Sequence, residues 1–407
     1  MKLVKFFTLG CKANQYDTQS ILERFLSKGF REAGKSQNPD YFLINTCTVT
    51  SGADRKSRNI IRRCIQSNPR AKVIVTGCMA EKDWDLLADI KGVSLVVKKK
   101  FFPEGISGFS RHTRAFLKIQ DGCDNFCAYC KVALVRGKKR SKSFQQALKE
   151  AKKLAACGFK EIVLTGICLG EYGKDLSPRK DLVGLVGSLS EIEGLSRVRL
   201  SSIEAGDVSV KLIKLLAAGR KFCRHLHIPI QSGDNNILKR MNRKYTREKY
   251  EDLISGIKRN IPGVSITTDC LVGFPGETDE NFDNTVSLVK KIMPLKAHIF
   301  PYSVRPGTKA ASFGGLVDAK TVNARCAELE KVSKECRDKF MRQFIGEELT
   351  VLIEGVAKNQ VCCLEGLTDN YLNIRLPFKP GLINKIVRVK LKLIAGDSFL
   401  GEYIDNY

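Results

Sequence analysis

No stretch of about 18 consecutive apolar residues occurs in these 407 residues, so nothing in the chain is expected to span a membrane. The opening segment MKLVKFFTLGCKANQ has a basic start but a short apolar run, followed at once by amide and charged residues without a small-residue cleavage site. It reads as a first strand, not a signal peptide, and the chain is expected in the cytoplasm. Neither an amphipathic anchor nor a lipidation motif is evident, and there is no internal repeat, low-complexity tract or disordered tail. Acidic residues are scarce: 43 Asp and Glu stand against 69 Lys and Arg, a formal charge of +26. That excess is larger than solubility requires and is the electrostatic footprint of a nucleic-acid partner.

Cysteine, by contrast, is abundant, with fifteen residues. Without a secretion signal, clustered cysteines point to metal or catalytic chemistry more than to disulfides. Cys123, Cys127 and Cys130 form C-x3-C-x2-C within DGCDNFCAYC. A four-iron cluster normally takes four cysteines, so three leave one iron free to bind a small molecule. Ferredoxin-type clusters use C-x2-C-x2-C-x3-C, which argues against simple electron transfer. The alternatives are three buried structural cysteines, or a non-catalytic RNA-binding protein with structural metal sites. Zinc sites, however, normally close with four ligands.

The first hundred residues alternate strand and helix patterns: strands at 2–8, 41–45 and 72–76, helices at 18–28 and 54–67. Such alternation implies a parallel sheet. Each strand runs into a cysteine, namely Cys11, Cys47 and Cys78. Parallel sheets gather functional groups at the carboxyl ends of their strands, so these three thiols form a second candidate metal site. Six of the fifteen cysteines are thereby used; the other nine are read as small buried hydrophobes.

After the lysine run at 98–100 and the loop at 101–105, the rhythm resumes with strands at 116–120, 161–165, 197–200, 225–228, 265–268 and 297–300. Helical patterns lie between them, such as 143–157 and 279–293. Six units suit a partial (β/α)6 barrel, open on one side for a large substrate, closed by a charged helix at 319–344. Beyond Gly346 short alternating strands at 348–354, 371–375, 385–393 and 399–403 suggest a small antiparallel β-barrel. The fold class is α/β, with domains at 1–105, 110–343 and 344–407.

The C-x3-C-x2-C loop, with its aromatic residue before the last cysteine, resembles the radical S-adenosylmethionine superfamily. The order of three-cysteine domain, cluster barrel and terminal β-barrel resembles the methylthiotransferases along the whole chain. The strings LGCKANQYDTQ, INTCTVT, TGCMAE, RLSSIEAGD, HLHIPIQSGDNNILKRMNRKY, TDCLVGFPGETDENF and HIFPYSVRPGTKA carry that resemblance. LGCK-x-NQYDT, CTVT before ADRKSR, and HIFPYS-x-RPGT resemble the branch acting on threonylcarbamoyladenosine in tRNA. The last part resembles the RNA-binding TRAM module. Sibling groups act on isopentenyladenosine in tRNA or on an aspartate of a ribosomal protein.

The resemblance implies two 4Fe-4S clusters, the radical one on Cys123, Cys127 and Cys130, the auxiliary one on Cys11, Cys47 and Cys78. It implies two molecules of S-adenosylmethionine: one methylates a sulfur at the auxiliary cluster, the other is cleaved reductively and activates carbon 2 of the adenine at tRNA position 37. The cofactors carry the hard chemistry; the protein supplies orientation and exclusion of solvent. An electron donor such as flavodoxin or ferredoxin and a sulfur source are implied partners.

Tyr129 is expected to flank the cofactor, with ordinary packing as its alternative. Thr165 and Gly166 end a strand where backbone groups could meet the methionine moiety, or form a plain turn. Ser201 and Glu204 follow the next strand, and Glu204 could bond a ribose hydroxyl or an exposed cation. Gly273 and Gly276, after Asp269, lie near the adenine or serve backbone geometry alone. Gln231 and Ser232 could face the cavity. Arg136, Lys138, Lys139, Arg140 and Lys142 could grip phosphates, with a salt slope of about −3.5 if all five do so on a single strand. Lys385, Arg388, Lys390 and Lys392 are read as one basic face of the β-barrel, and Tyr371 and Phe378 nearby could stack on bases or pack in the core or rim. Two departures from the family pattern stand out. Lys131-Val132-Ala133-Leu134 replaces an Ile-x-Pro-like segment, and Cys168 stands where a polar residue is usual.

Overall fold

The computed structural model describes residues 1–34, 36–98, 105–110, 112–357 and 362–404. Most of the lysine run at 98–100 and the loop that follows it therefore lie outside the described residues. In the N-terminal part β1 (Leu3–Thr8), β2 (Arg31–Glu32), β3 (Tyr41–Thr46), β4 (Lys72–Gly77) and β5 (Val93–Val96) form a parallel sheet in the order β2-β1-β3-β4-β5. Near-continuous apolar runs such as YFLINT suit strands covered on both faces. Phe42, Ile44, Val73 and Val75 pack with Ile61 of the helix Ser51–Ser67. The first helix, Lys12–Ser27, starts six residues before the predicted Thr18. Its first turns carry Asn14, Asp17 and Gln19, polar residues that are buried and so break the apolar periodicity.

The central part brings β6 (Arg114–Lys118), the short pair β7 (Gln120–Asp121) and β8 (Arg140–Ser141), then β9 (Glu161–Thr165), β10 (Arg197–Leu200), β11 (His225–His227), β12 (Ser265–Val272) and β13 (Lys296–Pro301). Strands β6-β9-β10 and β11-β12-β13 are parallel triplets, joined by the bridges Val198–Phe222 and Ser202–His227. The six strands thus run in chain order around an arc. Side chains alternate across a strand. Leu164, Val198, Leu226, Ile266 and Cys270 pack under the helices. The other set, including Lys118, Glu161, Thr165, Arg199, Ser201, His227, Asp269 and His298, faces the concave side. That lumen is polar.

The C-terminal strands β14 (Glu348–Val356), β15 (Cys363–Thr368), β16 (Asn373–Pro377), β17 (Ile386–Ala395) and β18 (Ser398–Tyr403) close into a barrel in the order β14-β15-β16-β18-β17. It is antiparallel except between β16 and β18, which run parallel, a correction to the all-antiparallel expectation. The barrel docks on the amino ends of the central strands. Arg197 donates to the carbonyls of Leu367 (2.9 Å) and Thr350 (2.7 Å), and Ser265 Oγ donates to Asn370 O at 2.6 Å. Arg114 pairs with Glu354 at 2.6 Å. Tyr371 stacks on His225 at 4.1 Å and lies under Arg199. Its ring is therefore engaged in packing, the second of the two roles expected of it, while Phe378 is exposed.

Candidate functional site

Strands β1, β3 and β4 are neighbours, with Thr8 opposite Asn45 and Thr46 opposite Gly77, so Cys11, Cys47 and Cys78 emerge side by side at their carboxyl ends. Gly77 sits at φ +105°, where a Cβ would overlap the backbone of Thr46; only glycine turns the chain here so that Cys78 opens the next helix. Asn14 ties the trio together. Its Nδ2 donates to Leu9 O (2.7 Å) and Thr46 O (3.0 Å), and the Cys78 thiol points to its Oδ1 at 3.8 Å. Burial pushes the Cys47 thiol up, and the neighbouring Cys78 and Cys11 add to the shift.

The second trio lies on the loop between β7 and the helix Val132–Arg136. Burial drives Cys130 up to about 12 and also raises Cys127, against the opposing pull of Arg243, whose Nη1 is 3.4 Å from Cys127 Sγ. A hydrogen bond with Cys168 lowers Cys123 to about 7, and Asn125 N donates to Cys123 Sγ at 3.4 Å. Cys47, Cys127 and Cys130 are thus raised by burial with neighbouring thiols adding to the shift, a cost that a bound cationic centre relieves by holding them as thiolates. Among the described residues, the group whose ligand atoms all lie within 4.8 Å is His227, Asp269 and His298, not either cysteine trio. Each trio offers three thiols, whereas a zinc site normally closes with four ligands and a four-iron cluster on three cysteines keeps one iron open. The donor sets therefore suit iron–sulfur clusters better than zinc.

Buried polar links join the two trios. Lys131, next to Cys130, donates from Nζ to Thr48 Oγ1 at 3.1 Å and pairs with Asp83 at 3.3 Å. Thr48 follows Cys47 and also receives Arg305, from the string HIFPYSVRPGT, at 2.9 Å on its carbonyl. Arg136 donates to Asn14 Oδ1 (2.6 Å) and Asp121 Oδ1 (2.6 Å), and Asp121 pairs with Lys118, which also meets Asp17. The unusual 131–134 segment thus forms a helical turn whose first residue is anchored across the interface. Asn14, Asp17 and Arg305 escaped the sequence analysis, and Lys131 was noted there only as part of the altered 131–134 segment. The signal was polar residues clustered inside a helix start and beside each cysteine string.

The other candidates are placed as follows. Thr165 and Ser201 are buried on the lumen side, and Ser201 Oγ has no hydrogen-bond partner. Gly166 packs against Gln120, where a Cβ would stand 3.0 Å from its Cβ. Tyr129 lies half-buried against the cluster of Ile237, Met241 and Phe274. Glu204 is taken by Arg243, which also bonds Tyr245. Gly273 has φ +76° and a Cβ there would strike Val322; Gly276 likewise faces Arg240 and bonds Gly315 O at 2.6 Å. Both serve backbone geometry. Gln231 exchanges backbone bonds with Asp269 and Leu271, while the Ser232 hydroxyl accepts from Asp234 N.

The basic run divides. Arg136 and Lys142 are buried, the latter against Glu150 and Tyr16, so neither reaches a phosphate. Lys139 pairs with Glu171 at 2.5 Å; burial alone would raise that carboxyl, but Lys139 and Lys174 hold it down at about 2. Lys138 and Arg140 are exposed. On the β-barrel, Arg388, Lys390 and Lys392 alternate outward along β17, but Lys385 precedes the strand and has the opposite parity. Glu348 and Glu402 pair with Arg388 and Lys392, so that face is mixed in charge.

The Radical SAM superfamily family model matches residues 117–289, and the one described as Uncharacterized protein family UPF0004 matches residues 3–98. The threonylcarbamoyladenosine tRNA methylthiotransferase MtaB of Bacillus subtilis is 38% identical over 424 residues, covering 96% of this chain and 94% of its own. The chain belongs to the radical S-adenosylmethionine methylthiotransferases and is a transferase. A tRNA-2-methylthio-N(6)-dimethylallyladenosine synthase of Pelotomaculum thermopropionicum is 35% identical, covering 96% of this methylthiotransferase and 95% of its own length. Among solved structures, the radical S-adenosylmethionine methyltransferase TsrM of Kitasatospora setae aligns at a TM-score of 0.52 and 15% identity, over 76% of this chain and 77% of that one, which establishes the fold. Membership of the superfamily implies S-adenosylmethionine and a 4Fe-4S cluster as cofactors.

Proposed function

We propose that this enzyme adds a methylthio group to carbon 2 of N6-threonylcarbamoyladenosine at position 37 of tRNA. Cys123, Cys127 and Cys130 would hold the radical cluster, and Cys11, Cys47 and Cys78 a second 4Fe-4S cluster. When bound, these groups supply the electron that breaks the sulfonium carbon–sulfur bond and the sulfur that is transferred; a flavodoxin- or ferredoxin-type donor and a sulfur source serve them. The protein's own part is positional. Lys131, directly after Cys130, and Arg136, at the end of the helix that follows, hold Thr48 and Asn14 beside Cys47, Cys11 and Cys78, so the two trios keep a fixed separation. That link is the observation carrying the proposal, because sulfur leaving one centre must meet carbon activated at the other.

The greater identity to the threonylcarbamoyl enzyme than to the dimethylallyl enzyme supports the choice of base. The test is anaerobic turnover of reconstituted protein with tRNA carrying either N6 group, read by nucleoside mass spectrometry. Methylthio product from threonylcarbamoyl tRNA, with about eight irons per chain, is expected. Product from dimethylallyl tRNA alone would select the sibling activity, and a zinc-filled, inert chain would sink both.

A further inference from the structure

Two cations that act on the concave face, Lys12 and the exposed Lys296 of β13, have no counter-ion among the described residues, and of the two only Lys12 is half-buried. Lys12 follows Cys11, is half-buried, and makes no hydrogen bond or ion pair there. Its charge is felt on the concave face of the arc, by His298 of β13 and His225 of β11. Beside it, His227, Asp269 and His298 present their polar atoms together: His227 Nε2 lies 3.3 Å from Asp269 Oδ2, and the two imidazoles are 5.8 Å apart. Burial holds His298 toward its neutral form; Asp269 opposes this, and Lys296, His227 and Lys12 add to it. A divalent ion on this trio would have to tolerate the ammonium of Lys12, so a metal is disfavoured. Ser201 Oγ, buried and unpartnered at the neighbouring strand end, is a further polar group facing a space meant for a ligand.

The two N6 substituents named for the relatives differ sharply in chemistry. Dimethylallyl is a hydrocarbon; threonylcarbamoyl carries a carboxylate, an amide N–H and a hydroxyl. A hydrocarbon would cover the ammonium of Lys12 without giving it a partner, which is costly.

We propose that Lys12, Asp269 and the His227–His298 pair form a subsite in the lumen for the threonylcarbamoyl group, Lys12 taking its carboxylate and Asp269 its amide N–H or hydroxyl. This deepens the function proposed above and rests on it. The order of the chain makes the arrangement economical: one residue after a cluster cysteine reads the substituent while the cluster works on the ring.

The test compares kcat/KM for synthetic anticodon stem-loops bearing threonylcarbamoyladenosine or its methyl ester, on reconstituted wild-type, Lys12→Gln and Lys12→Arg proteins. Because the acid-to-ester ratio is taken within each protein, any loss of cluster beside Cys11 cancels. Wild type should favour the acid by about 10- to 100-fold, the range for a hydrogen bond to a buried charge. Lys12→Gln should bring the ratio near one, and Lys12→Arg should retain most of it. A wild-type ratio near one, or an undiminished ratio in Lys12→Gln, overturns the subsite. A wild type that ignores both and modifies only dimethylallyl RNA overturns the underlying function instead.

Discussion

The ammonium of Lys131 donates to the hydroxyl of Thr48 at 3.1 Å, joining the residue after Cys130 to the residue after Cys47 across 83 positions of sequence. Removing it leaves Thr48 with Arg305 and frees Asp83. Lys131→Met should therefore loosen the separation of the two trios more than either trio itself. The expected outcome is a rise, about tenfold, in S-adenosylmethionine cleaved per methylthio product, with iron content unchanged. Quantifying 5′-deoxyadenosine against modified nucleoside checks it.

Arg136 bridges Asp121 and Asn14 in a buried setting, with Asp17 at 3.9 Å. Arg136→Met takes the guanidinium away from both Asp121 and Asn14. Breaking a buried charged network from one side costs about 3–5 kcal/mol. Thermal unfolding should show a large drop in midpoint, and RNA affinity measured at a temperature where the variant stays folded should not change. A drop in affinity alone would return Arg136 to the RNA-binding surface.

The exposed cations behave in the opposite way. Lys138→Ala with Arg140→Ala should leave the unfolding midpoint within about 1 kcal/mol of wild type. The salt slope of RNA binding should fall by about 1.4 if both meet phosphates on a single strand. Filter binding across a salt series reads this directly.

Burial between Arg199 and Tyr371 holds His225 well below the ordinary histidine pKa, with Arg199 adding to the shift. Its folded pKa is depressed, so the unfolded chain takes up the proton first as pH falls below about 6.5. The stability it contributes is present above that pH and is lost below it, at up to about 1.4 kcal/mol per pH unit. Denaturant midpoints at pH 7.5 and 5.5 should show the loss in wild type, and His225→Phe should reduce it.

Much of this was legible in the residues. Strands β9 and β10 fall where alternation placed them, and the six strands of the arc emerge from apolar runs between helical patterns. The cysteine strings fixed which strand ends matter. What stayed hidden was polar and tertiary. Arg136 and Lys142 look like any surface cation in a sequence, and only packing reveals that Asp121 and Glu150 draw them inside. Tyr371 could be a base-stacking ring or a packed one, and only the fold shows that His225, 146 residues earlier, claims it. Likewise the strand Cys363–Thr368 was missed because Gly366 interrupts its pattern; Gly366 is there to let β14 pass close, since a Cβ would crowd Ile353 Cα at 3.1 Å.

The small barrel occupies the amino end of the arc, while the cysteine loops crown the opposite end. Five-residue strands rise about 17 Å between those ends. A ligand that met both ends at once would have to lie along the flank for at least that length. A single nucleoside is shorter than that span, whereas a stem-loop is long enough to cover it.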